Sequence, residues 1–179
     1  MVSLARVSLD DLPEAVRPFA FLLGTWRGEG VGGYPTIDQD FRYGEEVTFT
    51  CYGKPLLEFH SQSWKLDGDQ EGQPLARQAG FWRPVSNPGA PDTPRVEVVQ
   101  AVASGLVEIF YGTLVNGPSG VHVELTSDLI GITETAKQVS ADKRMYAVRG
   151  GKLMYAMEMA AVGQALQAHL SAALDPVNP

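Results

Sequence analysis

From Gly53 onward, turn-forming residues break the chain repeatedly, and the stretches between them alternate apolar and polar side chains. Gly53-Lys54, Asp67-Gly68-Asp69, Ser104-Gly105, Asn116-Gly117-Pro118 and Gly150-Gly151 each supply residues that tolerate the backbone angles of a tight turn. Period-two alternation predicts strands at Trp26–Val31, Phe41–Tyr52, Leu56–Leu66, Ala76–Val85, Arg95–Ala103, Leu106–Val115, Val121–Ile130, Lys143–Arg149 and Lys152–Glu158. This rhythm confines the chain to an antiparallel meander. One helix is expected ahead of it. Asp10 or Asp11 is placed to cap it and Pro13 suits its first turn, while Ala15, Val16, Phe19, Leu22 and Leu23 form one stripe ending at Gly24.

The last segment is open. Leu166, Leu170 and Leu174 are spaced by four, as in a helix, whereas a strand sets Leu166, Ala168, Leu170, Ala172 and Leu174 against Gln167, His169 and Ser171. With nine or ten strands and almost no helix, the choice lies between a two-sheet sandwich and a closed barrel. A barrel removes exposed edges and, beyond about eight strands, is wide enough to hold a small ligand. Asn87–Pro94 is rich in proline and reads as a long surface hairpin loop that does not divide the 179-residue chain.

Composition excludes several classes of function. A single cysteine, Cys51, rules out an intramolecular disulfide framework and a cysteine-rich zinc site, and it is expected to be an inert buried thiol. A net charge of −7 argues against a nucleic-acid partner. No apolar run approaches the roughly 20 residues of a membrane helix, and the first residues lack a secretory leader pattern, so a cytoplasmic protein with no membrane partner is expected. Neither a serine elbow nor a glycine-rich phosphate loop is present.

The histidines are His60, His122 and His169, and none forms a metal-binding doublet. On an ordinary sheet the polar face holding His169 is solvated. In a barrel with a cavity the same face looks inward and a metal-ligating role becomes available. The glycines at Gly24, Gly28, Gly30, Gly32 and Gly33 around Trp26 read as a bent strand with close backbone approach, or as room for a flat ligand. Met154, Met157 and Met159 read as adaptable core.

These residues resemble a known family. Gly24-Thr25-Trp26-Arg27-Gly28-Glu29-Gly30 is similar to the G-x-W-x-G-x-G motif of the nitrobindins, and Tyr34-Pro35-Thr36-Ile37 follows as it does there. Further matches run through Glu45-Glu46-Val47-Thr48-Phe49, Gly53-Lys54-Pro55, Gly80-Phe81 and Thr135-Ala136-Lys137, and the segment Met159 to Leu170 looks like actinobacterial members. The resemblance spans roughly Pro13 to Leu174. The chain departs from the pattern in a longer Asn87–Pro94 loop and in Ala165, where a proline is common.

The resemblance implies an all-β fold with a short N-terminal helix. Its core is an antiparallel up-and-down barrel of about ten strands, similar to lipocalins and fatty-acid-binding proteins. It implies an extension over 1–12, a single domain over 13–175, and one ferric haem b per chain. His169 would be the axial iron ligand and the catalytic residue. Lys137 would pair with a haem propionate unless it is simply a solvated strand-end lysine, and Thr36 would bond the same group or shape the turn after Pro35. The distal side is expected to be apolar, lined by Met154 or Met157. The implied activity is isomerisation of peroxynitrite to nitrate together with NO binding, in a monomer or homodimer. The alternatives are a non-enzymatic carrier of haem or a small hydrophobic ligand, for which no inward arginine pair is evident, and an NO or haem sensor.

Overall fold

A computed structural model describes residues 11–177 except 69, 88, 91, 92 and 119. Ten antiparallel strands follow one another around a closed barrel: β1 (Gly24–Gly32), β2 (Phe41–Thr50), β3 (Leu57–Asp67), β4 (Gln70–Val85), β5 (Arg95–Val102), β6 (Leu106–Gly117), β7 (Gly120–Ile132), β8 (Val139–Arg149), β9 (Lys152–Ala161) and β10 (Gln167–Pro176). Pairing of β1 with β10 closes the ring, so no edge is left unpaired. The expected turns all fall between strands, although Asp69 and parts of Asn87–Pro94 lie outside the described residues. Gly68 and Gly105 show why glycine stands there, with φ of +61° and +98°. The segment around His169 is a strand, which resolves the C-terminal alternative against a helix.

The expected helix forms over Glu14–Leu22, but as a 3-10 helix. Pro18 sits inside it and lacks the N–H that an α-helical turn would use. Three residues per turn also align Val16, Phe19 and Leu22, which are the residues it buries. Asp10, one of the expected caps, lies outside the described residues. The helix packs against β4 and β8 and plugs one end of the barrel. Trp26 ties it to β1, its Nε1–H donating to the Leu22 carbonyl at 2.9 Å. Inside that end, Phe49, Phe59, Trp82 and Tyr146 form an edge-to-face aromatic cluster with centroids 5.2–6.3 Å apart.

Up-and-down connectivity sorts the loops into two sets. The β1–β2, β3–β4, β5–β6, β7–β8 and β9–β10 connections share the open end. The β2–β3, β4–β5, β6–β7 and β8–β9 connections share the plugged end. The Asn87–Pro94 loop joins β4 to β5, so it sits at the plugged end.

The glycines of β1 leave no void for a flat ligand, because neighbouring side chains and backbone fill their space. A Cβ on Gly30 would lie 2.3 Å from the Tyr43 ring and 2.6 Å from the Ser171 carbonyl oxygen, and one on Gly28 would lie 2.8 Å from the Ala173 oxygen. Gly30→Ala is therefore expected to lower unfolding free energy by about 1–3 kcal/mol through overpacking. A urea midpoint unchanged from wild type would contradict that close approach.

Candidate functional site

His169 stands where β10 leaves its regular register. Ala168 pairs with Glu158 and Leu170 with Met157, which leaves His169 as the extra residue of a bulge. A bulge breaks strict alternation, so His169 and Leu170 both line the interior cavity, and the expectation that they face opposite ways is corrected. The end of β1 holds the bulge in place: the Gly33 N–H donates to the His169 carbonyl at 3.0 Å. The His169 ring is fixed by the same residue, with Nδ1 3.0 Å from the Gly33 carbonyl oxygen. A carbonyl only accepts, so Nδ1 is the donor in this bond and Nε2 is the nitrogen turned away from it. Tyr34 packs edge-on against the ring at 5.2 Å, and its hydroxyl accepts from the Ala161 N–H at 2.8 Å. Nε2 itself has no hydrogen-bond partner among the described residues.

The cavity inside the open end encloses about 160 Å3. Its apolar wall is made by Phe41, Phe59, Leu75, Met157 and Leu170, while Met154 faces outward and is 43% exposed. Of the two methionines expected on the distal side, only Met157 is there. His169 also borders an open outer groove of about 640 Å3 beside Tyr34 and Asp40, so it sits in the barrel wall between two concavities. The enclosing wall is weakest between β3 and β4, where the register slips twice between Gln62 and Leu66 and Leu75 is 47% exposed at the lip.

The interior is not as apolar as expected. Glu45, Gln100, Glu108, Asp142 and Arg144 are buried side chains pointing into the barrel. Asp142 takes the Arg144 guanidinium on both carboxylate oxygens, with Nη2–Oδ2 at 2.8 Å, and Arg144 Nη2 also reaches Glu108 Oε2 at 3.3 Å. Arg144 Nη1 donates to Gln78 Oε1 at 2.7 Å, and Gln100 donates to Glu108 at 2.7 Å. One arginine, Arg144, does point inward, not the pair whose absence was noted, and its guanidinium is already satisfied by carboxylates and offers a lipid headgroup little. The paired carboxylates hold it in the charged form despite burial. Tyr155 donates to Glu45 Oε2 at 2.5 Å, and the Tyr43 hydroxyl lies 2.6 Å from that of Tyr155. Burial pushes the Glu45 carboxyl up to about 7, against the lowering pull of Tyr155, Ser61 and Arg144.

The other residues expected at the site are more dispersed. Thr36 lies in the β1–β2 loop and Lys137 in the β7–β8 loop, both at the open end and both exposed, and neither lines the cavity or the groove. Trp26, Gly24, Gly28 and Gly30 shape β1 rather than the cavity. His60 is exposed, and His122 meets Glu124 at 3.1 Å on the outer surface. Cys51 is buried, as expected of an inert thiol. Among the described residues no helix is long and apolar enough to cross a membrane, and no group of three or more His, Cys, Asp or Glu forms a metal cluster.

Comparison with known proteins fits this arrangement. The chain is 43% identical to a protein named peroxynitrite isomerase from Parafrankia sp. (strain EAN1pec), over 94% of this chain and 83% of that one. It is 43% identical to one of the same name from Frankia casuarinae, over 94% and 88%. The crystal structure of Rv2717c from M. tuberculosis superposes with a TM-score of 0.81 at 40% identity, covering 93% of this chain and 99% of that one. Residues 15–175 match the profile described as the THAP4-like, heme-binding beta-barrel domain. A ten-stranded barrel with a tethered histidine at its open end, matched over nearly its whole length, makes this chain a member of the THAP4-like, heme-binding β-barrel domain family.

Proposed function

We propose that the chain binds one haem b in the ferric state through His169 Nε2 and isomerises peroxynitrite to nitrate, with NO as a further ligand. The observation that carries this reading is the anchoring of the His169 ring on Gly33. With Nδ1 donating to the Gly33 carbonyl the ring is aligned, and Nε2 is the nitrogen left without a protein partner, the position from which an axial ligand would reach iron. The relatives named peroxynitrite isomerase at about 40% identity support the activity.

The residues present suit such a group. Phe41, Leu75, Met157 and Leu170 beside His169 offer apolar contact to a macrocycle. The enclosed 160 Å3 is below the roughly 300–1,000 Å3 of pockets that surround a ligand, so a haem uses the open rim at Leu75 and His169 as well as the cavity. Lys137 and Thr36, on loops at the same end, are the propionate partners in this reading. A haem held there would supply the Lewis-acidic iron that the isomerisation of peroxynitrite needs. The chain orients the iron through His169. Phe59, Tyr146 and Tyr155 would wall the chamber beside it and shield a bound substrate from bulk water.

Titration of the purified protein with ferric haem, followed in the Soret region, tests the ligand. Wild type is expected to saturate at one equivalent. His169→Ala is expected to lose more than the roughly 10–100-fold that removal of a supporting hydrogen bond costs at a metal site. Equal spectra and affinities would refute the assignment. Stopped-flow decay of peroxynitrite tests the activity separately, and decay no faster than with free haem would leave only a carrier or sensor.

A further inference from the structure

Glu45, Glu108, Asp142 and Arg144 are 5%, 2%, 0% and 6% exposed, so one cation faces three carboxyls inside the barrel. With all three ionised the interior would hold two uncompensated negative charges in an enclosed, weakly polarisable space, which is strongly disfavoured. At least one proton is therefore retained. Asp142 and Glu108 bond the guanidinium directly. Glu45 does not; it leans on hydroxyls, Tyr155 directly and Tyr43 behind it. The groups facing Glu45 are Tyr43 on its own strand, Ser61 on β3, Gln78 on β4, Arg144 and Tyr146 on β8, and Tyr155 on β9, with His169 of β10 on the same cavity and only glycine opposite on β1. Burial raises all three phenols, so they stay protonated and act as donors.

We propose that Glu45 is the proton-holding group of this cavity, so that a small anion is admitted only while the Glu45 carboxyl carries its proton, beside Tyr155 and Tyr43. Where that carboxyl is ionised beforehand, it takes a proton from solvent as the anion enters, forming its O–H bond, and the interior gains no net charge. The proposal deepens the reading of the cavity as the ligand chamber beside His169 and rests on it. It gives an acidic protein a way to admit an anionic substrate that its overall charge does not attract. Tyr155 and Tyr43 are positioning residues for that carboxyl.

Two measurements test it. In haem-free protein carrying 13C-labelled glutamate, where burial raises Glu108 as well, the carboxyl signal missing from Glu45→Gln is expected to titrate near neutrality, to move upward in Tyr155→Phe, and to move upward when sodium azide is added. A Glu45 carboxyl titrating in the ordinary range, or one that azide leaves unmoved, overturns the proposal. In haem-loaded protein, azide affinity read from the Soret band is expected to fall about tenfold per pH unit above neutrality. Glu45→Gln should remove that dependence, while hydroxide competing at the iron affects both proteins alike. Identical pH profiles in wild type and Glu45→Gln also overturn it. Failure of the protein to take up haem would sink the proposed function alone, because the carboxyl titration and its response to azide need no haem.

Discussion

Arg144→Met is expected to cost about 3–5 kcal/mol of unfolding free energy near pH 8, the typical loss when one partner of a buried ion pair is removed. The guanidinium is held by both oxygens of Asp142 and by Glu108 and Gln78, and lies over the Phe110 ring at 5.2 Å. Methionine restores most of the volume but none of the charge, so Asp142 and Glu108 are left facing each other in an apolar interior. They relieve this by taking up protons, so the penalty should shrink as pH falls toward 5. Urea denaturation at both pH values, with the slope unchanged between proteins, measures the effect. A loss below about 1 kcal/mol at pH 8 would mean the network contributes far less than its burial implies.

Glu45 makes stability depend on pH in the opposite sense to an ordinary surface acid. Its carboxyl is raised from 4.5 when unfolded to about 7 when folded, chiefly by desolvation. Between those values the folded chain binds more protons than the unfolded one, so unfolding free energy falls as pH rises through that window. At 1.36 kcal/mol per pH unit, the advantage of wild type over Glu45→Gln is expected to decline by about 3 kcal/mol from pH 4 to pH 8. Thermal or urea unfolding of the two proteins across that range gives the difference directly. A constant difference would show that the carboxyl is not held protonated. The subtraction matters, because the other carboxyls titrate in both proteins and cancel.

The meander was legible because turn chemistry is local. Gly68, Gly105 and the Gly150-Gly151 pair sit where a strand must reverse, and no distant contact is needed to recognise them. The helix was legible in place but not in type, since its stripe suits either period and Pro18 decides between them. Barrel closure came from resemblance, because β1 and β10 lie at opposite ends of the described chain and nothing local reports their pairing. His169 could be named but not aimed. Its bulge depends on Gly33, which bonds both its backbone and its ring across the closing seam. The interior charges had a readable sign that alternation itself provides. Glu45 is in phase with the buried Tyr43, Val47 and Phe49, Arg144 with Tyr146, and Glu108 with Leu106 and Phe110. A charge on the apolar phase of a strand marks a partnered interior group.

The seam also decides how the two ends of the barrel divide their work. The Val177 N–H bonds the Thr25 carbonyl, and the plugging helix leads directly into β1, so the chain enters and leaves the barrel at the plugged end. The described chain thus enters and leaves the barrel on one rim, while His169 and the cavity beside it belong to the other, so that entry and exit and the candidate ligand chemistry occupy opposite ends of the same two strands.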